Sequence, residues 1–420
     1  MSSTCPHLEP CGSCPLLPLP YEEQLARKQA HLLGELEGLA YLISQPPQDL
    51  LAPPVAAPQA LGYRHSVKLV VAPSSQGEPL IGLYRPGTHS VIDTAGCPVQ
   101  APLLNLLLDE LRTLLRTPHA PSLYHEATRA GALRYVVARS SWSHEGGSSH
   151  VHLTLISAQE EREALSWLAL ALKERLPWLT GVALHINASG GNAIFDWSSR
   201  PLMRPLWGEA HLTSHINTSP PPSLGRSLTL KASAESFSQV NPAAASLAYR
   251  AVVEALEPHE GLRALDLYCG VGSISLALAQ AGFKGVVGLE ESPSSVRDAQ
   301  DNALTNGLEA HFEAGLTEAL LPAWVDRLCD ELPLVSAEEG APARRAAVVS
   351  LNPSRRGCQA SVLDELARLS PQRLAYMSCH PRSLMRDLKR LAKRGYQPTR
   401  LQLFDLFPGT PHYEVVCALS

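Results

Sequence analysis

A cysteine at a strand end can add to an electron-poor carbon, and a glutamate held away from water can take up a proton. The chain carries one of each near its C-terminus. Cys379 follows the apolar stretch Leu374-Ala-Tyr-Met-Ser378 and precedes a basic helix pattern. Glu414 opens the apolar stretch Glu414-Val-Val-Cys417 after the turn sequence Phe407-Pro-Gly-Thr-Pro-His412. Taken alone, such a cysteine is more often a small buried residue than a nucleophile. A strand-leading glutamate is more often solvated than catalytic. The surroundings decide both cases.

The first of those surroundings is a ligand loop. Ala264-Leu-Asp266-Leu-Tyr268-Cys269-Gly270-Val-Gly272-Ser273 reads as a buried strand, a glycine turn and the start of a helix. The glycines let backbone approach a ligand closely. The third glycine of the dinucleotide fingerprint is absent, since Ser275 stands there. A second strand, Gly285 to Leu289, ends in Glu290, twenty residues after Gly270. An acid at that place suits ribose hydroxyls. A methionine-bearing adenosine therefore fits better than a dinucleotide. Ala346 to Leu351 is a further strand, ending at Asn352, and Arg373 to Ser378 another, ending at Cys379. Asp266, Glu290, Asn352 and Cys379 thus all fall where an open α/β sheet binds ligands.

The N-terminus carries a different chemistry. Cys5, Cys11 and Cys14 sit among Pro6, Pro10, Gly12 and Pro15, in a segment too irregular to build a core. Three thiols so spaced read as ligands of one metal centre. Cys97, in a second Gly/Pro turn, is the best fourth ligand. Spacing alone leaves zinc and an iron–sulfur cluster open.

The elements that must position these groups follow from pattern. Tyr21 to Ile43 repeats leucines at helical spacing (Leu25, Leu32, Leu36, Leu39), and 44–59 is a Pro-rich linker. Gly62 to Ala72 alternates as a strand bearing Arg64 and Lys68, cations that are ordinarily solvated, with a phosphate contact as the less common alternative. Pro102 to Arg116 and Arg162 to Leu176 read as helices; Leu133 to Arg139, His150 to Ser157 and Gly181 to Ile186 read as strands. His125, His144, His150 and His152 are scattered and form no site. A Pro-rich boundary spans 214–224. These patterns divide the chain into a cysteine-cluster segment with linker and strands (1–97), a central α+β unit assigned to RNA binding (98–225) and a catalytic unit (226–420). After Cys379, Leu384, Leu388 and Leu391 form an inner stripe, while Arg382, Arg386, Lys389, Arg390, Lys393 and Arg394 face outward, as a solvated face or a phosphate-binding surface.

The totals exclude several classes. The 420 residues are 45% hydrophobic and 18% charged, with net charge -5, so a polyanionic partner must be met by local basic patches. No secretion signal opens the sequence and no run of eighteen apolar residues occurs, which predicts a cytoplasmic protein without membrane contact. Nine cysteines suit a reducing compartment.

Five motifs in order make the last 185 residues resemble the RNA uracil-C5 methyltransferases that use S-adenosylmethionine. They are Ser236-Phe-Ser-Gln239-x-Asn241-Pro, Asp266-Leu-Tyr-Cys-Gly-x-Gly272, Asn352-Pro-Ser-Arg-Arg-Gly357, Ser378-Cys379, and Phe404-Asp-x-Phe-Pro-x-Thr-x-His-x-Glu414. The resemblance implies an α/β fold. Its C-terminal domain is a Rossmann-like class I S-adenosylmethionine methyltransferase, joined to an N-terminal iron–sulfur segment and a central α+β domain. It implies Cys379 as nucleophile on uracil C6 and Glu414 as the base that removes the C5 proton. Gln239, Tyr268, Glu290 and Asn352 become cofactor contacts. Arg355 stabilises charge on the base or binds phosphate. Family members with the same cysteine arrangement hold a [4Fe–4S] cluster, which makes Cys5, Cys11, Cys14 and Cys97 its implied ligands. Asn352, where many members carry Asp, is similar to the branch that methylates a uridine in 23S ribosomal RNA and lacks an oligonucleotide-binding TRAM domain, for which the start of this chain leaves little room. The implied partner is RNA, ribosomal before transfer RNA, and the expected state is a monomer.

Two positions depart from the family pattern. His380 follows the nucleophile where Asn is usual, and Ser354 replaces the second proline of Asn-Pro-Pro. They motivate a rival, a non-catalytic RNA-binding or RNA-folding protein that keeps the fold. The acidic net charge motivates another, a small-molecule methyltransferase.

Overall fold

The computed structural model describes residues 5–143, 146–147, 149–191, 193–195, 203–218, 226–259, 261–335 and 343–420. His144 and the prolines at 220–222 lie outside them.

The N-terminal stretch forms a one-turn helix α1 (Leu8–Cys11), the long helix α2 (Tyr21–Glu37) and the short α3 (Pro47–Leu50). Strands β1 (Ser66–Pro73), β2 (Pro79–Tyr84) and β3 (Val91–Asp93) follow, then α4 (Pro102–Leu114), β4 (Leu133–Ser140), β5 (Val151–Ser157), α5 (Arg162–Arg175), β6 (Leu179–Ile186) and β7 (Arg204–Gly208). These strands form one sheet of order β3-β2-β1-β4-β5-β6-β7, in which only β5 and β6 run parallel. A boundary at residue 97 would cut through this sheet, because β1 pairs directly with β4 from Ser66–Arg139 to Val70–Tyr135. The Gly/Pro turn at Cys97 therefore connects two parts of one sheet and ends no domain. Leu104, Leu107, Leu108 and Leu111 of α4 and Leu165, Leu168 and Leu172 of α5 cover one sheet face. The other carries a small cluster of Val70, Tyr135, Val137 and Ile156.

A hairpin, β8 (His211–Ile216) and β9 (Leu228–Ser233), leads to the second unit. Its elements are α6 (Pro242–Ala255), β10 (Arg263–Leu267), α7 (Ser273–Gln280), β11 (Lys284–Glu290), α8 (Pro293–Asn306), β12 (Ala310–Ala314), α9 (Thr317–Glu331), β13 (Arg345–Leu351), α10 (Ala360–Leu369), β14 (Pro371–Ser378), α11 (Pro381–Ala392), β15 (Pro398–Phe404) and β16 (Glu414–Leu419). The sheet order is β12-β11-β10-β13-β14-β16-β15, parallel except for β16, which runs antiparallel to both neighbours. The strand order reverses between β10 and β13, the crevice where such sheets bind ligands.

The N-terminal helices belong to this second unit by packing. Leu32, Leu36, Leu39 and Leu50 share a core with Leu374, Leu388, Leu401 and Leu403. Residues 51–55 run along the edge strand β15: Ala52 N–H donates to Leu401 O at 2.8 Å, Val55 N–H to Leu403 O at 2.7 Å, and Asp405 N–H to Val55 O at 3.0 Å. That cover satisfies backbone groups an edge strand would leave open. Among the described residues no helix is long and apolar enough to cross a membrane.

Candidate active site

A cavity of about 1140 Å³ opens between the two sheets and takes in Cys379, Glu414, Gln239, Tyr268, Glu290 and Asn352 together. All but Gln239 and Glu414 stand at the C-terminal end of a parallel strand or in the loop that follows it.

The side of the cavity formed by the glycine turn is a set of strand ends tied together from beneath. Asp266 is fully buried and accepts hydrogen bonds from Ser275 Oγ (2.5 Å) and Ser350 Oγ (2.6 Å). Burial lifts its carboxyl to about 6, offset by the two serines. Asp266 thus braces the loop and does not face the cavity. The chain then turns sharply, with Tyr268 at φ 65 and Gly272 at φ 82. A side chain on Gly272 would meet the Phe312 ring at 3.0 Å, so the turn needs glycine there. Glu290 receives Gly270 N–H (3.1 Å) on one oxygen and Ser292 N–H (2.9 Å) on the other. Each oxygen keeps a lone pair for a ligand hydroxyl. Asn352 is anchored through its backbone N–H to Leu267 O at 3.2 Å. Gln239 precedes α6, whose N-cap is Asn241; that side chain accepts Ala244 N–H at 3.1 Å and donates to Leu406 O at 3.2 Å. The Ser-Phe-Ser-Gln-x-Asn stretch is so pinned to the loop leading to Glu414.

The antiparallel insertion of β16 places the reacting pair. Ser378 pairs with Val415, so Cys379 and Glu414 are the next positions outward on adjacent strands. Cys379 is half-buried. Burial and the nearby Glu414 push its thiol up, while Arg355 draws it down. Glu414 is 3% exposed and its Oε2 has no hydrogen-bond partner among the described residues. Burial pushes its carboxyl up to about 8 against the pull of Arg355. A carboxyl and a thiol therefore stand side by side at the cavity, with a guanidinium biasing both toward their charged forms.

His380 is the N-cap of α11. Its Nδ1 accepts Ser383 N–H at 3.3 Å and its backbone N–H donates to Ser378 Oγ at 3.2 Å. It does the work an Asn does at a helix start, which accounts for the departure after the nucleophile. The outward cations of α11 are largely neutralised within the chain. Arg382 pairs with Glu35, Arg386 with Asp387, and Arg390 and Arg394 both with Asp364. These ion pairs fit the solvated reading of this helix face.

Lys28 is a structural residue that sequence pattern all but conceals. On α2 the buried face is Gln24, Lys28, Leu32 and Leu36, with Leu25 only partly covered. Lys28 Nζ lies 2.7 Å from Asp405 Oδ1 and 3.1 Å from Phe407 O, with the Lys28 and Asp405 side chains 1% and 0% exposed. Gln24 accepts Gly409 N–H (2.7 Å), Tyr63 donates to Pro408 O (2.9 Å) and Leu16 N–H to Gly409 O (2.9 Å). The loop that delivers Glu414 is gripped from the N-terminal segment. The sequence clue is a lysine placed four and eight residues before Leu32 and Leu36, in line with the apolar stripe.

The structure does not show the expected four-cysteine metal centre. No group of three or more His, Cys, Asp or Glu among the described residues stands at a spacing to hold a metal ion. Cys5 and Cys11 are separated by the α1 turn, and Cys11 directs its thiol to Ser13 Oγ at 3.2 Å. All four cysteines nonetheless line the same cavity wall. Burial lifts the Cys14 thiol to about 11; Arg64 opposes it, and Cys97, Cys11 and Cys5 add to it.

Comparison with known proteins accords with this geometry. Residues 222–420 match the tRNA (Uracil-5-)-methyltransferase family. The chain is 32% identical to an uncharacterized RNA methyltransferase of Gloeobacter violaceus, over 100% of this chain and 83% of the relative. It is 33% identical to another of Geobacter sulfurreducens, over 99% of this chain and 76% of that protein. Its fold is similar to that of Pyrococcus abyssi tRNA (uracil-54, C5)-methyltransferase in complex with S-adenosyl-L-homocysteine, with a TM-score of 0.69 and 22% identity over 97% of this chain and 85% of the other. With its strand order, its cavity at the switch point and these relatives, the chain belongs to the tRNA (uracil-5-)-methyltransferase family of RNA methyltransferases.

Proposed function

We propose that the protein methylates C5 of a uridine in RNA through a covalent adduct between Cys379 and uracil C6. The observation that carries this is the pairing of Cys379 with a buried, partly unpartnered Glu414 at adjacent strand ends beside Arg355. Uracil C5 is too weak a nucleophile for a methyl sulfonium. Addition of the Cys379 thiolate to C6 places an enolate across C5 and O4. Arg355 favours both the thiolate and the negative charge that develops on the base. Gln239, Tyr268, Glu290 and Asn352 would hold S-adenosylmethionine, which would supply the methyl group and leave as S-adenosylhomocysteine. The open space off Gly270, where a Cβ would meet nothing within 4 Å, supports room for it beside Glu290. Glu414, in its carboxylate form, which the Arg355 charge favours against burial, then takes the C5 proton. The C6–S bond breaks and Cys379 leaves. The uridine must be unstacked to expose C6, and Phe237, 65% exposed on the cavity rim, offers an aromatic face to a displaced base.

The proposed target is a 23S ribosomal RNA uridine, on the Asn352-Pro-Ser-Arg-Arg-Gly357 resemblance. A tRNA uridine is the second reading, favoured by the substrates named for the matching family and for the Pyrococcus enzyme. The proposal is of a cytoplasmic protein acting as a monomer. Incubation with RNA carrying 5-fluorouracil is expected to trap an adduct that Cys379→Ala abolishes. Absence of any adduct with cellular RNA would overturn the mechanism. Mapping 5-methyluridine in rRNA and tRNA from cells with and without the gene separates the two targets.

A [4Fe–4S] cluster on Cys5, Cys11, Cys14 and Cys97 belongs to the same proposal, supported by the four thiols lining one wall, with Cys5, Cys11 and Cys97 within electrostatic reach of Cys14. Anaerobic reconstitution should yield iron and sulfide in equal amounts, lost in the Cys14→Ser variant.

A further inference from the structure

Most arginines of α11 have a carboxylate beside them. The cavity wall facing Cys379 and Glu414 is built differently. Lys68 on β1 and Arg139 on β4 lie diagonally on one face of the first sheet, since Ser66 pairs with Arg139 and Lys68 with Val137. Both line the cavity. Lys68 has no carboxylate partner among the described residues; its ammonium sits 5.5 Å over the Phe195 ring. It is reachable by solvent yet walled by protein, and burial together with the Arg139 charge pushes it below its ordinary range. Arg139 is 7% exposed. One of its nitrogens donates to Ser233 O at 2.7 Å, and Nε has no partner among the described residues. Asp298 is the acid that acts on it, but that carboxylate is occupied by Ser233 and Ser236.

Two like charges side by side repel each other, the more so because Arg139 is buried. An anion between them offsets the repulsion. The cofactor residues proposed above all come from the opposite, methyltransferase wall, which leaves this one for the nucleic acid. A flipped uridine drags its flanking phosphates toward the cavity mouth, and phosphate is the anion that a lysine and an arginine hold best together.

We propose that Lys68 and Arg139 form a subsite for an RNA backbone phosphate next to the target uridine. The inference rests on the RNA-methylating reading and names a contact within it. The test uses the full-length protein and a fluorescent single-stranded, uridine-rich RNA, with Kd measured at several salt concentrations. Lys68→Met is expected to weaken binding about tenfold and to lower the slope of log K against log salt by about 0.7, the share of one single-strand phosphate. Lys68→Arg should retain both. Arg139 is buried and its variants are exposed to misfolding, so the decisive variants are those of Lys68, the more accessible of the two. Binding of S-adenosylhomocysteine by calorimetry is expected to stay within twofold of wild type in Lys68→Met. Unchanged RNA affinity and slope in that variant would overturn the subsite. So would weakened S-adenosylhomocysteine binding with intact RNA binding, which would assign the cations to the cofactor carboxylate. Wild-type protein that forms the 5-fluorouracil adduct while Lys68→Met binds RNA normally would remove the subsite alone. Wild-type protein that neither binds RNA nor forms the adduct would remove both.

Discussion

Replacing Glu414 by glutamine keeps the side-chain shape and deletes its titration. The native carboxyl is 3% exposed, one oxygen is unpartnered among the described residues, and its protonation is pushed from 4.5 up to about 8. In the unfolded chain it titrates near its ordinary value. Between those two pH values the folded protein keeps a proton that the unfolded chain has released. Stability therefore falls as pH rises through that window. Spread over the interval, the loss is on the order of 3–5 kcal/mol. The glutamine variant escapes it at every pH. Its stability relative to wild type should be nearly constant below pH 4.5 and should climb through pH 8 by that same amount. Urea unfolding of both proteins on either side of that window and within it reads this difference directly, and taking the variant minus the wild type cancels other titrations. A difference that stays flat across the whole window would refute the placing of Glu414 in the cavity as a desolvated acid. The same variant should still form the adduct with 5-fluorouracil RNA, since the base acts after the thiol.

Removing one member of the buried Lys28–Asp405 pair leaves an uncompensated charge, so Lys28→Met should destabilise by about 3–5 kcal/mol; Lys28→Met with Asp405→Leu should recover most of that, as measured by urea unfolding. His380→Ala should cost about 1 kcal/mol through loss of the helix cap while His380→Asn restores it, with adduct formation retained in the Asn variant. Arg390→Ala with Arg394→Ala should leave RNA affinity within twofold, because both guanidiniums are engaged by Asp364; a drop comparable to that expected for Lys68→Met would show that α11 touches RNA.

The methyltransferase half was legible because its signals are local. A strand, a glycine turn and an acid twenty residues on declare a ligand loop, and Asp266, Glu290, Asn352 and Cys379 each end or follow an apolar strand. Glu414 beside Cys379 was less so: their adjacency depends on β16 running against its neighbours, and only the motif order hinted at it. The N-terminal share was hidden for the opposite reason. Lys28 meets Asp405 across 377 residues, and no periodicity reports a partner so distant. The division at residue 97 followed a turn signal, whereas sheet membership is decided by backbone pairing of β1 with β4. The spacing of Cys5, Cys11 and Cys14 speaks only of nearness along the chain. Whether thiols converge on one ion depends on how the α1 turn orients them, and here they share a wall without forming an ion-holding group.

The strip of residues 51–55 laid along β15 ties together the first part of the chain to be synthesised and nearly the last. Leu401, whose carbonyl receives Ala52 N–H, leaves the ribosome some 350 residues later, roughly 20–70 s at ordinary elongation rates. Throughout that interval the leucine stripe of α2 has no surface to bury against, while the first sheet, complete by Gly208, can already close. Docking of α2 therefore waits until β15 has been synthesised. The α2 stripe is the segment a nascent-chain chaperone has to shelter until β15 emerges.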